Sequence, residues 1–579
     1  MTAASAIGIF CFWRFYHPEA LSFAEEMQMF LFSGGYLTER LSAPGGAAAY
    51  VGEFLTQFYN PLWLGAVIAT AMLLAVQRLT WRLARGAGGS SGAAFSLSFV
   101  PAAGLLVIQG DDNVLAGYTV SILAGLVTCA AYCQVCAKRW LELLFLVIAI
   151  PLMFYLAGPG AYLLAAFALL RRGGDRGWGG KIICAAVIAA YVLLTVICAY
   201  RMSAYPLSRI AAGVYTYRMP DAPALLTLFI LFVAAWPTCV GKTKAGADKW
   251  IWAVGVWATV ALVGFVACQL SYDRLKYRVM RYDMYMRTHD WQGAVAQAKR
   301  HTPRTPLELA AVNYALAMRG ELADRMFEFP QVSSEGLIPV FNREVMSSMM
   351  TSDIFFELGM VNSARRFAFE AQEAIPDQRK SGRLTKRLAE VAIVDGHYAL
   401  AMRYLDLLAK TFAYGKWAEK TKELIKSDAQ VDAHPLYRRL RRRRVKQDFF
   451  YSDREMDQML GLLFNQDKGN RMALDYLLCL ELVTRDMANF TRYIPLLGQR
   501  PGGAGIMPRH YQEALCMAWA KGHKSFDGMP WPVNASIKGQ FVTFAQMMAA
   551  GSQPWAANDG YIGTSYWAFY ANGDKREQQ

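Results

Sequence analysis

Apolar runs approaching the thickness of a bilayer crowd residues 1–270, and no run of that length follows Gln269. Crossing about 30 Å of hydrocarbon takes roughly 20 helical residues. No water is available there to bond the backbone, so each N–H and C=O must be satisfied within its segment, which makes helices the natural reading. The runs lie at 2–16, 61–80, 93–109, 114–137, 140–157, 160–170, 182–199, 222–240 and 250–270, about nine spans. The sixth, entered through Gly158-Pro159-Gly160, is short enough to fit a re-entrant hairpin with the fifth as well. The first is also short, lacks the basic start and cleavage site of a signal peptide, and is read as a span. Composition conceals this segregation: the chain is 55% hydrophobic with a mean hydropathy of +0.19, because residues 271–579 carry charge continuously and dilute the apolar first half.

Orientation follows from the bases, since Lys and Arg resist translocation. Arg78, Arg82 and Arg85, then Lys138 and Arg139, then Arg171, Arg172, Arg176 and Lys181, then Lys242, Lys244 and Lys249 occupy alternate loops. The intervening loops hold only Arg40, Arg201, Arg209 and Arg218. The N-terminus is therefore expected in the cytoplasm and, after an odd number of spans, everything beyond Gln269 outside. Part of the net charge of +15 belongs to the cytoplasmic loops, so it does not imply a nucleic-acid partner. Eight of the ten cysteines lie in or beside apolar runs and form no disulfide framework. Cys133-x-x-Cys136 has no second pair or nearby His and reads as helix packing. The sequence leaves open whether Cys479 and Cys516 pair.

The connection His17 to Asn60 is too long and too patterned for a simple loop. Phe23, Met27, Phe30 and Leu31 recur at helical spacing, as do Val51, Phe54, Leu55 and Phe58, with Glu25, Glu26, Glu39 and Glu53 between or opposite them. That pattern predicts helices lying along the outer membrane surface.

Residues 271–500 read as a helical-repeat domain and 501–579 as a helical, aromatic cap. Leu309–Phe327, Asp353–Ala371 and Leu388–Leu408 each show an apolar-periodic helix ending at a glycine, Gly320, Gly359 or Gly396, before a second helix that starts with small residues. The glycines are 39 and 37 residues apart, so the units resemble tetratricopeptide repeats in an irregular solenoid, an architecture that binds peptides or protein surfaces. The basic run RRLRRRRVK at 438–446 reads as a solvated helix face or as a contact for anionic lipid or lipopolysaccharide. The tail, with Trp531, Trp555, Tyr561, Tyr566, Trp567 and Tyr570, caps the solenoid or rests at the membrane interface.

No G-x-x-x-x-G-K or H-E-x-x-H occurs, so nucleotide hydrolysis and zincin proteolysis lack their signatures. Of the histidines, only His17 stands at the membrane where a site is expected. The outward-facing acids are better candidates: Glu25 and Glu26 in the first loop, and Asp111-Asp112-Asn113 in the second. Adjacent carboxylates repel, so their placement at a helix end points to a cation, a basic partner or a raised pKa, or else simply to polar residues ending spans. Arg201, Arg209 and Arg218, with Tyr205, Tyr215 and Tyr217, make the fourth outer loop a candidate grip for a lipid phosphate. No metal site is assigned.

An early outer loop with two interfacial helices and an acid, short outer turns bearing carboxylates, and a polar domain after the last span resemble the GT-C fold glycosyltransferases. The resemblance implies sugar transfer from a polyprenyl-phosphate donor at the outer face, with Glu25 or Glu26, and secondarily Asp111 or Asp112, as base or metal ligand. A divalent metal enters only under that reading, and the loop has no D-x-D. Across the whole chain, LSAPGGAAAYVGEFLTQFY at 41–59, DDNVLAGY at 111–118 and KRLAEVAIVDGHYALAMRYLDLL at 386–408 are similar to an uncharacterised family of multi-spanning Bacteroidetes membrane proteins. That likeness implies a Gram-negative host and a periplasmic outer compartment, but no reaction. The expectation is an all-α protein, a bundle of about nine spans over residues 1–270 followed by a tetratricopeptide-like domain, in a bacterial inner membrane. Its first function is to anchor a periplasmic domain that binds envelope proteins or peptides; the alternative is the polyprenyl-linked transferase.

Overall fold

The computed structural model describes residues 1–135, 139–172, 178–214, 218, 223–242, 250–377, 379–445, 452–503, 505–551 and 562–576. Cys136, Lys138, Arg176, Tyr215, Tyr217, Lys244, Lys249, Lys446, Trp555, Tyr561 and Gln579 lie outside the described residues. Every regular element among those described is a helix. Among the described residues six helices are long and apolar enough to cross a membrane: Leu62–Gly86, Ala116–Val135, Trp140–Ala157, Gly180–Arg201, Ala224–Gly241 and Trp250–Ser271.

The other three expected spans are shorter. Residues 2–16 form the helix Thr2–Cys11 and then a π-helical turn, Phe12–Tyr16. The run at 93–109 is divided into Gly92–Leu97 and Val100–Ile108: the Ser98 hydroxyl donates to the Phe95 carbonyl at 2.5 Å, and Pro101 opens the second helix, where its missing N–H costs nothing. The sixth run gives the 13-residue helix Gly160–Arg172. Hydropathy averages across such caps and breaks, which is why nine runs yield six helices of membrane length.

The chain forms two compact units. The first comprises Met1–Tyr277 together with Ile375–Gly382 and Leu407–Trp417; the second comprises Arg278–Ala374, Arg383–Asp406 and Ala418–Gln579. In the first, Leu73, Val76, Tyr118, Ile122, Leu163 and Ile230 meet in a core contributed by four of the apolar helices.

The loop 17–60 differs from the surface helices expected of it. Pro18–Glu26 is interior: Leu21, Phe23, Met27 and Phe30 are buried, and so are Glu19, Glu25 and Glu26. In Gly46–Thr56 the buried face is the small one, Ala48, Ala49, Gly52 and Thr56 with Glu53, while Val51 and Phe54 stay exposed. A Cβ on Gly52 would stand 2.4 Å from the Gly117 backbone nitrogen, so glycine is what lets this helix press against the start of Ala116–Val135. Gly45, at φ +82°, lies against Gly158, where a Cβ would stand 3.4 Å from the backbone, and its N–H donates to the Tyr155 carbonyl at 2.8 Å.

In the second unit, Gly320, Gly359 and Gly396 take positive φ of 72°, 97° and 78° and join helix to helix where the sequence places them. The first joins Pro306–Arg319 to a helix of only four residues, Leu322–Arg325, so the pairs are unequal. The basic run is engaged within the unit. Arg439 pairs with Glu357 at 2.9 Å, Arg441 with Asp432 at 2.7 Å, Arg442 with Asp467 at 3.0 Å and Arg444 with Asp395 at 2.9 Å. It is a fastening between helices rather than a bare charged face. Cys479 and Cys516 are buried free thiols.

One carboxylate in this unit works against folding at neutral pH. Glu481 is buried, and burial, reinforced by Asp457 and Asp486, pushes it up to about 7. Its folded value exceeds the unfolded value of about 4.3. Its contribution to stability is therefore complete below about pH 4.3 and lost as pH rises through the folded value. Glu481→Gln is expected to gain about 1–2 kcal/mol over the parent at pH 8 and nearly nothing at pH 4.5, read by thermal unfolding at both. A gain independent of pH would contradict the assignment.

Candidate functional site

The loop and the two later segments of the first unit are joined by a buried ionic cluster. Ser33 caps Gly34–Leu41 by accepting from the Tyr36 N–H at 3.3 Å, which sets Tyr36 and Arg40 one helical turn apart on one face. Both reach Glu53: Arg40 Nε donates to Oε2 at 2.9 Å and the Tyr36 hydroxyl donates to the same oxygen. Arg379 Nη1 stands 3.2 Å from the other oxygen, Oε1, and donates to Gln28 Oε1 at 2.9 Å. Burial, then the Glu53 charge, pushes the Tyr36 phenol up, so it remains a donor. Two backbone bonds complete the join, Met29 N–H to Lys380 O and Phe32 N–H to Lys410 O, each 2.8 Å.

Beside this cluster lies a cavity of about 70 Å³. Its walls come from the stretch after the first helix, the start of Leu62–Gly86, the connection 109–116, Arg218 and Tyr277. These positions flank the ends of apolar helices, and by chain direction they share one end, opposite the basic turns at Arg78–Arg85 and Lys242. Its charged walls are Arg218 and Asp112; Gln28, Gln109, Thr56 and Tyr277 add polar groups, and Trp13 and Phe23 apolar ones.

Most of these polar groups have partners. Thr56 Oγ1 donates to Gly52 O at 2.8 Å, Gln28 Nε2 to Ala24 O at 3.1 Å and Tyr277 OH to Gly110 O at 3.2 Å. Lys276 Nζ donates to Asp112 Oδ1. Gln109 Nε2 donates to Thr119 Oγ1 at 3.1 Å, which leaves its buried Oε1 without a partner.

Arg218 is the exception among the charged groups. Its backbone N–H donates to Asn113 O at 2.9 Å, but its guanidinium Nε and Nη2 are buried with no hydrogen-bond partner among the described residues, and the residue is 6% exposed. Burial pushes the guanidinium down to about 10 against the pull of Asp112, so it is still a cation at neutral pH. The ring of Phe23 lies 5.4 Å from it.

The expected site residues therefore divide. Asp112 and Arg218 share the cavity. Asp111 does not line it; its Oδ1 accepts from the N–H and side-chain amide of Asn113, each at 3.0 Å. Glu25 and Glu26 are buried nearby in sequence but are not cavity walls, whereas Phe23, Ala24 and Gln28 are. Arg209 is a brace: it pairs with Asp377 and donates to Val214 O at 3.1 Å and Arg218 O at 3.2 Å, holding the segment that carries Arg218. Arg201 is exposed at the end of Trp178–Arg201. His17 belongs to an aromatic cluster, stacked 4.6 Å from Tyr272 and bonded through Nδ1 to Glu19 at 2.9 Å. Sequence reasoning missed Glu53 as a buried hub, and Gln28, Gln109, Lys276, Tyr277 and Arg379 altogether. A glutamine at a helix end and an arginine in a turn carry no periodic signal. Among the described residues no three His, Cys, Asp or Glu groups gather in a metal-holding arrangement.

Residues 1–573 match the model of a family of unknown function, DUF6057. The chain belongs to this family. The match runs through both units, so the apolar helices and the helical second unit are parts of one family architecture. No curated protein matches the chain, and no solved structure does.

Proposed function

We propose that this member of DUF6057 is an integral inner-membrane protein whose apolar unit anchors a periplasmic helical-repeat unit that binds or organises envelope proteins. The supporting observation is the use made of the carboxylates at the site. Glu53 is held by Arg40 and Arg379 and Asp112 by Lys276, while Glu25 and Glu26 lie outside the cavity. A base must come within hydrogen-bond reach of its acceptor, and small-molecule sites are commonly about 300–1,000 Å³; a cavity of about 70 Å³ is far smaller. The alternation of basic and base-poor helix ends supports a cytoplasmic N-terminus, with the three shorter apolar helices completing nine passages.

A second reading, a GT-C-like transferase using a polyprenyl-phosphate-linked donor, is favoured by one observation: Asp112 and Arg218 do share a cavity at the helix ends. The two readings part on a complementation test. In cells lacking the chain, a triple variant, Glu25→Gln, Glu26→Gln and Asp112→Asn, is expected to restore detergent resistance of the envelope as well as the parent does. A reporter enzyme fused at Gln579 is expected to work only in the periplasm. Failure of the triple variant while it is inserted at the parental level would overturn the anchoring reading in favour of transfer.

A further inference from the structure

We propose that the cavity at Arg218 is a binding site for a protonated phosphate group, as inorganic phosphate or a phosphomonoester, a ligand class beyond the anchoring role. Two kinds of unused group belong to residues that line the cavity. Arg218 Nε and Nη2 are donors with no partner among the described residues, on a side chain that is 6% exposed. A buried cation left so is costly, and a guanidinium edge matches two oxygens of a tetrahedral oxyanion. Gln109 Oε1 is the complementary feature, a buried acceptor with no partner, lining the same cavity.

An acceptor in an anion site selects for a ligand oxygen that still carries a proton. Asp112 reinforces this, because its second wall of negative charge repels a fully ionised anion while Lys276 holds one of its oxygens. Monohydrogen phosphate has both charged oxygens for Arg218 and a P–OH to donate to Gln109, and a phosphomonoester has them in its monoanion, the minor form at neutral pH because its second pKa is about 6. Sulfate and phosphodiesters, which include the common phospholipids, have no such proton at neutral pH. The volume is consistent: about 70 Å³ is several times the roughly 10–15 Å³ that one water needs. It admits a phosphate-sized group.

Titration calorimetry on the full chain in phosphatidylcholine nanodiscs tests this with inorganic phosphate and with sulfate. Saturable phosphate binding at least roughly tenfold tighter than sulfate is expected, the size of one charge-assisted hydrogen bond, and it should vanish in Arg218→Gln. Should that variant not insert, Gln109→Met keeps the guanidinium and is expected to bring phosphate down to the affinity of sulfate. A second arm replaces part of the lipid with phosphatidic acid. If the lipid then raises the melting temperature and weakens binding of free phosphate, the ligand is a lipid phosphomonoester; if only free phosphate acts, it is the inorganic ion. Absence of binding in both arms, or equal binding of phosphate and sulfate unchanged by Gln109→Met, would overturn the proposal and leave a cavity that holds water.

Discussion

Glu53→Ala is expected to be among the most damaging single substitutions in the first unit, at about 3–5 kcal/mol. Glu53 is 2% exposed and is the common anion of Arg40, 4% exposed, and Arg379, 3% exposed. Removing it takes from two buried guanidinium groups the buried anion they share, which costs far more than the pair contributes when intact. Tyr36 loses its acceptor as well. Because Arg379 lies in Ile375–Gly382, the loss also loosens the join between the loop and that segment. Thermal unfolding in detergent should show a fall on the order of 5–10 °C. Glu39→Ala is the internal comparison: its side chain is 61% exposed beside the same Arg40, and the change is expected to stay within about 0.5 kcal/mol. Equal effects of the two substitutions would contradict the assignment of Glu53 as a buried hub.

In the second unit the corresponding position is Glu513, fully buried on Arg509–Ala520. Its side chain accepts from Arg509 Nε at 2.7 Å, bonds His510 Nδ1 at 2.9 Å and accepts from the backbone N–H of Tyr566 at 2.7 Å. Trp567 Nε1 donates to its carbonyl at 2.7 Å, and Trp567 is itself fully buried among Phe541, Phe544 and Ile537. Glu513→Ala is expected to cost about 3–5 kcal/mol and to release the helix Tyr566–Arg576, seen as early proteolysis and faster amide exchange there. Burial works to raise the Glu513 carboxyl, but His510, Arg509 and the Tyr566 N–H hold it below the usual range. Its stabilisation is therefore present above the unfolded value of about 4.3 and lost as pH falls through the lower folded value. Amide exchange at Tyr566–Arg576 that is the same in variant and parent would show that Glu513 does not hold this helix.

What the sequence by itself determined is what a short window can carry. Apolar run length separates residues 1–270 from the rest, and a glycine after a periodic stretch marks a left-handed turn, as at Gly320, Gly359 and Gly396. Alternating bases set apart the helix ends at which Asp112 and Arg218 meet. Periodicity misleads where two faces compete: the spacing makes Val51 and Phe54 the seat of Gly46–Thr56, yet the small face is buried because only small residues admit the backbone of Gly117.

Tertiary structure alone decided which charges are joined. Gln28 and Arg379 are 351 residues apart, and nothing near either position signals the other. The same holds for Asp112 with Lys276, for Arg209 with Asp377, and for the arginines of 439–444 with acids up to 82 positions away. An ion pair depends on distance in space and on exclusion of water, neither of which is a property of a local window. The apolar helices are therefore legible in the sequence, whereas the cavity that Arg218 and Gln109 line together exists only in the folded chain.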